Sequence, residues 1–346
     1  MKANKQTPGL SHIIFSVPLP KKLQWLILGL LILCILYWSL VPLLIRCYAN
    51  RRNIPLQKEK IHLEEVQCQI LLKNHHRNEV NYGGSAIAFL VLDDFASLST
   101  IINNVDTNFA DNYTSDLVIF HSNYPLKSAR EAIFGCTPRR ILLCNIDRIF
   151  ASYPHGFNPY LEEPTSFKRG KWNYHQMIRF WFKFIFELSV IRNYKYVMRL
   201  DDDARLQGKW FNCFEEMERK KAVYFANTDW IDTEVALPGT MKLKDFALHY
   251  QNQTGLIERD PKMIKNSFKD DAILGYYNNF EIMKISFFLS PDVRRWVQYI
   301  EDTRGIYKYR WGDALLRYLT LAYFAAPGTT LRRADYNLSY CHPCKL

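Results

Sequence analysis

Three consecutive aspartates, Asp201-Asp202-Asp203, end the apolar and aromatic run Tyr196-Val197-Met198-Arg199-Leu200. Residues 196–200 have the composition and length of a buried strand. The acids then fall at the strand's carboxyl end, where open α/β sheets keep their ligand crevices. Three adjacent carboxylates repel one another and cost desolvation unless a cation neutralises them. A hard divalent ion with oxygen ligands, Mg²⁺ or Mn²⁺, suits such a set and commonly bridges to substrate phosphates. Asp201 and Asp203 lie two apart, so in an extended segment both point the same way and reach one metal or one metal–ribose pair. The bland alternative for the triplet is a solvated acidic turn. Two further segments set charge among apolar neighbours. Asn279-Phe280-Glu281-Ile282 places an acid between Phe280 and Ile282, where burial raises its pKa unless it is paired. Tyr309-Arg310-Trp311-Gly312-Asp313-Ala314 sets Arg, Trp and Asp around a glycine ahead of the apolar helix expected over 315–324, for which Asp313 makes a good N-cap. Cys341-x-x-Cys344 has the spacing of half a zinc site or a redox pair, but neither a second ligand pair nor a strand-to-helix setting accompanies it.

The elements that must hold these groups are legible as an α/β pattern. Residues 86–92 form a continuous apolar run of the kind found in buried parallel strands. Leu98, Ile101, Ile102, Val105 and Phe109 recur at helical spacing, and 116–120 is a second strand, so the unit is βαβ. A shorter strand is expected over 141–143 and another over 222–226. Residues 172–188 read as a helix that is apolar round most of its circumference. His175, Arg179, Lys183 and Glu187 make its single polar stripe, and Lys183 with Glu187 reads as an intrahelical ion pair. The stretch 237–268 is polar, mixed and helical in part. No glycine-rich loop follows the first strand, which argues against a dinucleotide or Walker-type phosphate cradle.

The chain has 346 residues, 48% of them hydrophobic and 15% aromatic, enough for one large globular domain with accessories. Its net charge of +11 is dispersed, which suits an anionic substrate such as a nucleotide-sugar. No basic stripe on a known module is present, so nucleic acid is not an expected partner. Ahead of the globular mass, residues 23–45 carry no charge and are bounded by Lys22 and Arg46. That length fits a membrane-spanning helix and exceeds the apolar core of a signal peptide. Trp25, Tyr37 and Trp38 are aromatics of the kind that settle at interfaces. The expected organisation is a tail over 1–22, an uncleaved signal-anchor over 23–45, a stem over 46–80 and a catalytic domain over 81–346. Basic residues flank the span on both sides, so charge alone does not orient it. Three sequons, at Asn112, Asn252 and Asn337, and eight cysteines are compatible with an oxidising lumen.

Together these segments resemble the fungal Ktr/Mnt family of Golgi α-1,2-mannosyltransferases, from about Ser85 to His342 and in the family's order. Tyr174-His175-Gln176-Met177-Ile178-Arg179-Phe180 is similar to the family's Tyr-x-x-Met-Cys-Arg-Phe helix. Tyr194 to Asp203 looks like its Tyr-x-Tyr-Tyr-Trp-Arg-Val-Glu-Pro-Asp strand, with Arg199 and Asp203 kept. Asn279-Phe280-Glu281-Ile282 and Arg310-Trp311-Gly312-Asp313-Ala314 match the family's motifs outright, and the tail at His342 is similar to its C-terminal His motif. The resemblance implies a GT-A-like α/β fold with a mixed, mainly parallel sheet behind a type II anchor, with the catalytic domain on the lumenal side of the Golgi membrane. It implies retaining transfer of mannose from GDP-mannose to a mannose-terminated acceptor, assisted by Mn²⁺. By position it makes Asp203 and His342 metal ligands, with Asp201 in place of the family's Glu. Glu281 becomes the candidate nucleophile and Asp313 a member of the acceptor region. Tyr174, Arg179, Arg199, Asp201, Arg310 and Trp311 become the substrate-binding set. Three departures stand out. Asp201-Asp202 replaces Glu-Pro, Leu274-Gly275-Tyr276-Tyr277 lacks the family's Cys, and Leu92-Asp93-Asp94-Phe95 replaces Leu-Ala-Arg-Asn. Another nucleotide-sugar donor, or a silent membrane-anchored glycan-binding protein, are the alternative readings.

Overall fold

The structure is a computed structural model that describes residues 28–30, 66–71, 84–92, 95, 97–122, 125–162, 164–165 and 172–344. Residues 28–30 are helical and belong to a unit spanning Met1–Lys58, whereas everything described from residue 66 onward belongs to a second unit, Glu59–Leu346. The tail over 1–22 and nearly all of the expected span over 23–45 lie outside the described residues. Among the described residues no helix is long and apolar enough to cross a membrane.

Among its described residues the second unit carries thirteen strands. They are β1 (Cys68–Leu71), β2 (Ser85–Val91), β3 (Asp116–His121), β4 (Ile141–Asn145), β5 (Tyr196–Leu200), β6 (Arg205–Gln207), β7 (Tyr224–Ala226), β8 (Asp229–Thr233), β9 (Phe268–Lys269), β10 (Ala272–Tyr276), β11 (Phe280–Lys284), β12 (Thr330–Arg332) and β13 (Ser339–Cys341). Eight of them form one sheet in the order β1-β4-β3-β2-β5-β11-β7-β12. Neighbours from β4 to β5 run parallel, as do β7 and β12, while β1 and β11 run antiparallel to their partners. The sheet is mixed and mainly parallel, as expected. Alternate residues of its strands feed two cores: Ala86, Ala88, Val118 and Phe120 face one, and Ile87, Phe89, Leu117 and Ile119 face the other. A sheet covered on both faces explains why these strands read as unbroken apolar runs.

The strands expected over 86–92, 116–120, 141–143, 196–200 and 222–226 all form, within a few residues of those limits. The stretch 237–268 is helical in part, at Lys242–Thr254 and Pro261–Ser267. Two features differ from the sequence expectation. Residues 68–71, inside the stretch expected to be a stem, pair as β1 with β4 and are fastened by a Cys68–Cys144 disulfide. The helix expected over 172–188 runs as Trp172–Arg179, then as a π-helical turn at Phe180–Phe184, then as Ile185–Glu187. The π turn breaks the four-residue spacing, and Lys183 pairs across to Glu301 at 3.4 Å and to Gln298 at 3.3 Å.

Candidate active site

The carboxyl ends of β2, β3, β4 and β5 share one edge of the sheet, and Asp201 leaves β5 there. Strand β11 begins at that edge because it runs antiparallel to β5, pairing Phe280 with Leu200 and Glu281 with Arg199. The Asp201 amide donates to the Asn279 carbonyl at 3.0 Å, which fixes the acidic turn against the Asn-Phe-Glu segment. The chain then turns into β6, which pairs antiparallel with β13 so that Cys341 lies opposite Arg205. The next residue along, His342, is thereby carried to the acids. The Cys344 amide donates to the Asp203 carbonyl at 3.0 Å, and a Cys341–Cys344 disulfide brackets His342 on both sides. The CxxC pair is therefore a clip around the histidine.

His342 Nε2 stands 2.8 Å from Asp203 Oδ1 and 3.8 Å from Asp201 Oδ2. Its Nδ1 shares a 2.8 Å hydrogen bond with the Tyr277 hydroxyl, which sets the ring so that Nε2 faces the acids. Burial, reinforced by Asp201 and Asp203, pushes the Asp202 carboxyl up to about 6, a measure of the crowded negative charge. Among the described residues no group of three or more His, Cys, Asp and Glu side chains is placed so as to hold a metal ion as it stands. Two carboxylates and an imidazole held by a hydroxyl are nevertheless a donor set that fits Mn²⁺, with positions left for substrate oxygens.

Arg199 connects this acidic turn to the motif residues. It is buried, its Nε donates to Asp201 Oδ1 at 3.1 Å and its Nη1 donates to Asp313 Oδ2. The same Nη1 lies 3.7 Å from Glu281 Oε1, and the guanidinium stacks 4.5 Å over the Trp181 ring. Burial disfavours its charge, but Asp201, Asp313 and Glu281 outweigh that and hold its pKa above the ordinary arginine value. Asp313 does not cap its helix, Asp313–Phe324; Gly312 occupies that position and makes no side-chain bond. The carboxylate instead accepts from Arg199 and from Asn278 Nδ2 at 2.9 Å.

Glu281 is 0% exposed. Its Oε2 accepts from the Tyr224 hydroxyl at 2.6 Å and from Arg317 Nε at 3.0 Å, while its Oε1 has no hydrogen-bond partner among the described residues. One oxygen is thus committed to the fold and the other, beside Arg199, is not.

A second part of the rim holds Tyr174 and Arg310. Arg310 Nη2 donates to the Tyr174 hydroxyl at 2.8 Å, its guanidinium lies 5.0 Å from the Tyr174 ring centre, and its Nη1 is 3.7 Å from Asp232 Oδ2. Trp311 is buried rather than presented to this rim, donating from Nε1 to the Gly239 carbonyl at 3.1 Å. Its ring lies so close to Gly305 that a Cβ there would stand 2.0 Å from it, so only glycine fits beneath the indole. Arg179 is not brought to the cluster. It is buried, bonds Glu301 through Nε at 2.9 and 3.1 Å and through Nη2, and donates to the Ser152 carbonyl at 2.8 Å. The structure therefore joins Asp201, Asp203 and His342 directly and links them through Arg199 to Glu281 and Asp313. Tyr174 and Arg310 lie on the adjoining rim, while Arg179 and Trp311 are held in the packing.

Sequence reading alone did not single out Tyr224, Asp232, Tyr277, Asn278 or Arg317. Arg317 had a signal, being a cation in an otherwise apolar helix and four residues after Asp313. Tyr277 and Asn278 adjoin the Asn-Phe-Glu motif, but nothing in their types shows which partner each meets.

A mixed, mainly parallel sheet carrying an acidic turn at a strand's carboxyl end, with an imidazole folded onto it, defines an α/β glycosyltransferase fold. The chain belongs to the family described as glycolipid 2-alpha-mannosyltransferase, the Ktr/Mnt mannosyltransferases, whose model matches residues 47–342. Among its relatives, the probable mannosyltransferase KTR4 of Saccharomyces cerevisiae is 30% identical over 163 residues, covering 44% of this chain and 35% of that one. This chain thus matches about a third of that relative's length. Two solved structures share the fold. One is core-mannan synthase A (CmsA/Ktr4) from Aspergillus fumigatus in its Mn/GDP form, at 17% identity and a TM-score of 0.66, covering 79% of this chain and 77% of that one. The other is Ktr4p from Saccharomyces cerevisiae in complex with GDP, at 18% identity and a TM-score of 0.61, covering 86% and 85%.

Proposed function

We propose that this chain is a Mn²⁺-assisted, retaining α-1,2-mannosyltransferase that moves mannose from GDP-mannose to the 2-hydroxyl of a mannose-terminated glycan. The observation that carries the reading is the convergence of His342 Nε2 on Asp203 at 2.8 Å and Asp201 at 3.8 Å, at the carboxyl end of β5. The Mn/GDP form of the Aspergillus structure and the GDP complex of the yeast one support the choice of metal and nucleotide. When bound, the cation neutralises charge on the diphosphate as the sugar bond breaks. Asp201, Asp203 and His342 would hold it, and Tyr277 orients the imidazole for that purpose. Arg199 holds the Asp313 and Glu281 carboxyl groups close together, where carboxylate charge would offset the positive charge that develops at the sugar's anomeric carbon.

The uncharged stretch 23–45 supports a single membrane span with a short cytoplasmic tail and a catalytic domain in the Golgi lumen. The test of the activity is a panel of nucleotide-sugars offered to the chain with mannose and mannobiose acceptors, with Mn²⁺ and with chelator. GDP-mannose alone should be consumed, only with the metal, giving a product whose new bond is α-1,2 by NMR. Use of another nucleotide-sugar in its place would reassign the donor. Consumption of none would leave a glycan-binding protein.

A further inference from the structure

Six tryptophans lie among the described residues, and five of them, Trp172, Trp181, Trp210, Trp296 and Trp311, are buried. Trp230 is 43% exposed, on the edge strand β8 of the small β8-β10-β9 sheet. An indole left partly open on an edge strand offers an apolar face with a polar edge to a ligand. This one is also held still. One face stacks on the Tyr277 ring with centres 4.9 Å apart and planes 18° from parallel. Its Nε1 donates to Asp232 Oδ1 at 2.8 Å, which fixes rotation of the ring in its plane.

The two groups that fix Trp230 belong to the two halves of the candidate active site. Tyr277 orients His342 at the acidic turn. Asp232 lies 3.7 Å from Arg310, which in turn donates to Tyr174. Trp230 is therefore the aromatic link in a continuous rim running Asp203, His342, Tyr277, Trp230, Asp232, Arg310, Tyr174. A rigid aromatic face with a carboxylate and a guanidinium beside it matches a pyranose. The C–H face of such a ring packs on the indole while its hydroxyls meet the polar edge.

We propose that Trp230, with Asp232 and Arg310 at its edge, is the platform on which a hexopyranose ring of the acceptor glycan stacks. The inference rests on the transferase reading for the word acceptor, but not for the binding itself. The donor has its charged diphosphate to place and is drawn to the acidic turn with its cation. A neutral sugar needs an apolar face and directional polar groups, and on this rim Trp230 supplies that face.

The test uses the full-length chain in detergent, with Trp230→Ala and Trp230→Phe. Saturation-transfer NMR with mannose, mannobiose, glucose and N-acetylglucosamine methyl glycosides reads sugar binding without any turnover. Binding should be seen in the parent, lost in W230A and partly kept in W230F, with all three melting together. In the transfer assay W230A should raise the acceptor KM by about tenfold or more, as loss of a buried tryptophan anchor does. GDP affinity with Mn²⁺ and donor hydrolysis, read without acceptor, should fall by less than acceptor affinity does. Undiminished sugar binding in W230A, or no binding of any of these sugars by the parent, overturns the proposal. So does a fall in GDP affinity with acceptor KM unchanged, which would give Trp230 to the nucleotide. A parent that binds sugar through Trp230 but consumes no nucleotide-sugar would sink the transferase reading while leaving the platform in place.

Discussion

Glu281→Gln is the substitution that separates what this acid does for the fold from what it does for chemistry. Glu281 and Arg317 have side-chain exposures of 0% and 1%, and their closest approach is 3.0 Å. Removing one partner of such a pair leaves a buried uncompensated charge and costs about 3–5 kcal/mol. Glutamine keeps an acceptor oxygen for both Tyr224 and Arg317, and Arg317 Nη2 retains its 2.8 Å bond to the Trp181 carbonyl. The cost therefore falls at the low end of the range, about 3 kcal/mol. At about 2–4 °C per kcal/mol for a domain near this size, the melting temperature should drop by about 6–12 °C. Arg317→Met should cost as much or more, since it strands the carboxylate. The double substitution should cost less than the sum, which identifies the pair as the source. The assay is calorimetric or circular-dichroism melting, followed by transfer kinetics well below the lowest melt. There the folded Glu281→Gln enzyme should bind GDP with Mn²⁺ normally and show a kcat lower by orders of magnitude. Melting within about 2 °C of the parent would refute the paired-charge account. Near-parental kcat in the folded variant would remove Glu281 from the mechanism.

Other outcomes follow from the same geometry. Asp203→Asn removes the carboxylate 2.8 Å from His342 Nε2, so Mn²⁺-dependent GDP binding by calorimetry should weaken at least about tenfold. The melting temperature should hold or rise as repulsion in the triplet is relieved. Arg179 and Lys183 hold the Glu301 carboxyl below the usual carboxylate range even though burial alone would raise it. A carboxyl depressed in the folded state stabilises above its unfolded pKa, about 4.3, and that stability is lost as pH falls through the folded value. Arg179→Met should therefore be less stable by about 3–5 kcal/mol in denaturant melts at pH 7, with the gap narrowing as the pH falls below about 4.3, and should leave both KM values unchanged. A raised KM without lost stability would return Arg179 to the substrate. Protease added to sealed microsomes should spare the C-terminal domain, and its digestion there would overturn the lumenal placement.

The continuous strands over residues 116–121 and 196–200 were readable because a strand buried on both faces must be apolar throughout. The acidic turn was readable as a candidate site because three adjacent carboxylates at a strand end repel one another unless a cation neutralises them. Strand β11 was not read as a strand, because Glu281 and Lys284 break its apolar character and the compensating Arg317 lies 36 residues away. Residues 68–71 carry no pattern that distinguishes a stem from an edge strand; pairing with β4 and the Cys68–Cys144 bond decided that. The polar stripe of the helix that starts at Trp172 was read at four-residue spacing, and the π turn at Phe180–Phe184 turned Lys183 toward Glu301 instead.

Arg179, Arg199 and Arg317 mark the boundary between the two sources of information. All three were visible as cations in apolar segments, and burial of each demands a carboxylate partner. Composition and local spacing fixed that demand. Which acid answers it, Glu301 for Arg179, Asp313 for Arg199, Glu281 for Arg317, depends on strand register and helix packing that join residues 122, 114 and 36 apart in the chain. A charge seeks any opposite charge within reach, and only the folded backbone sets what is within reach.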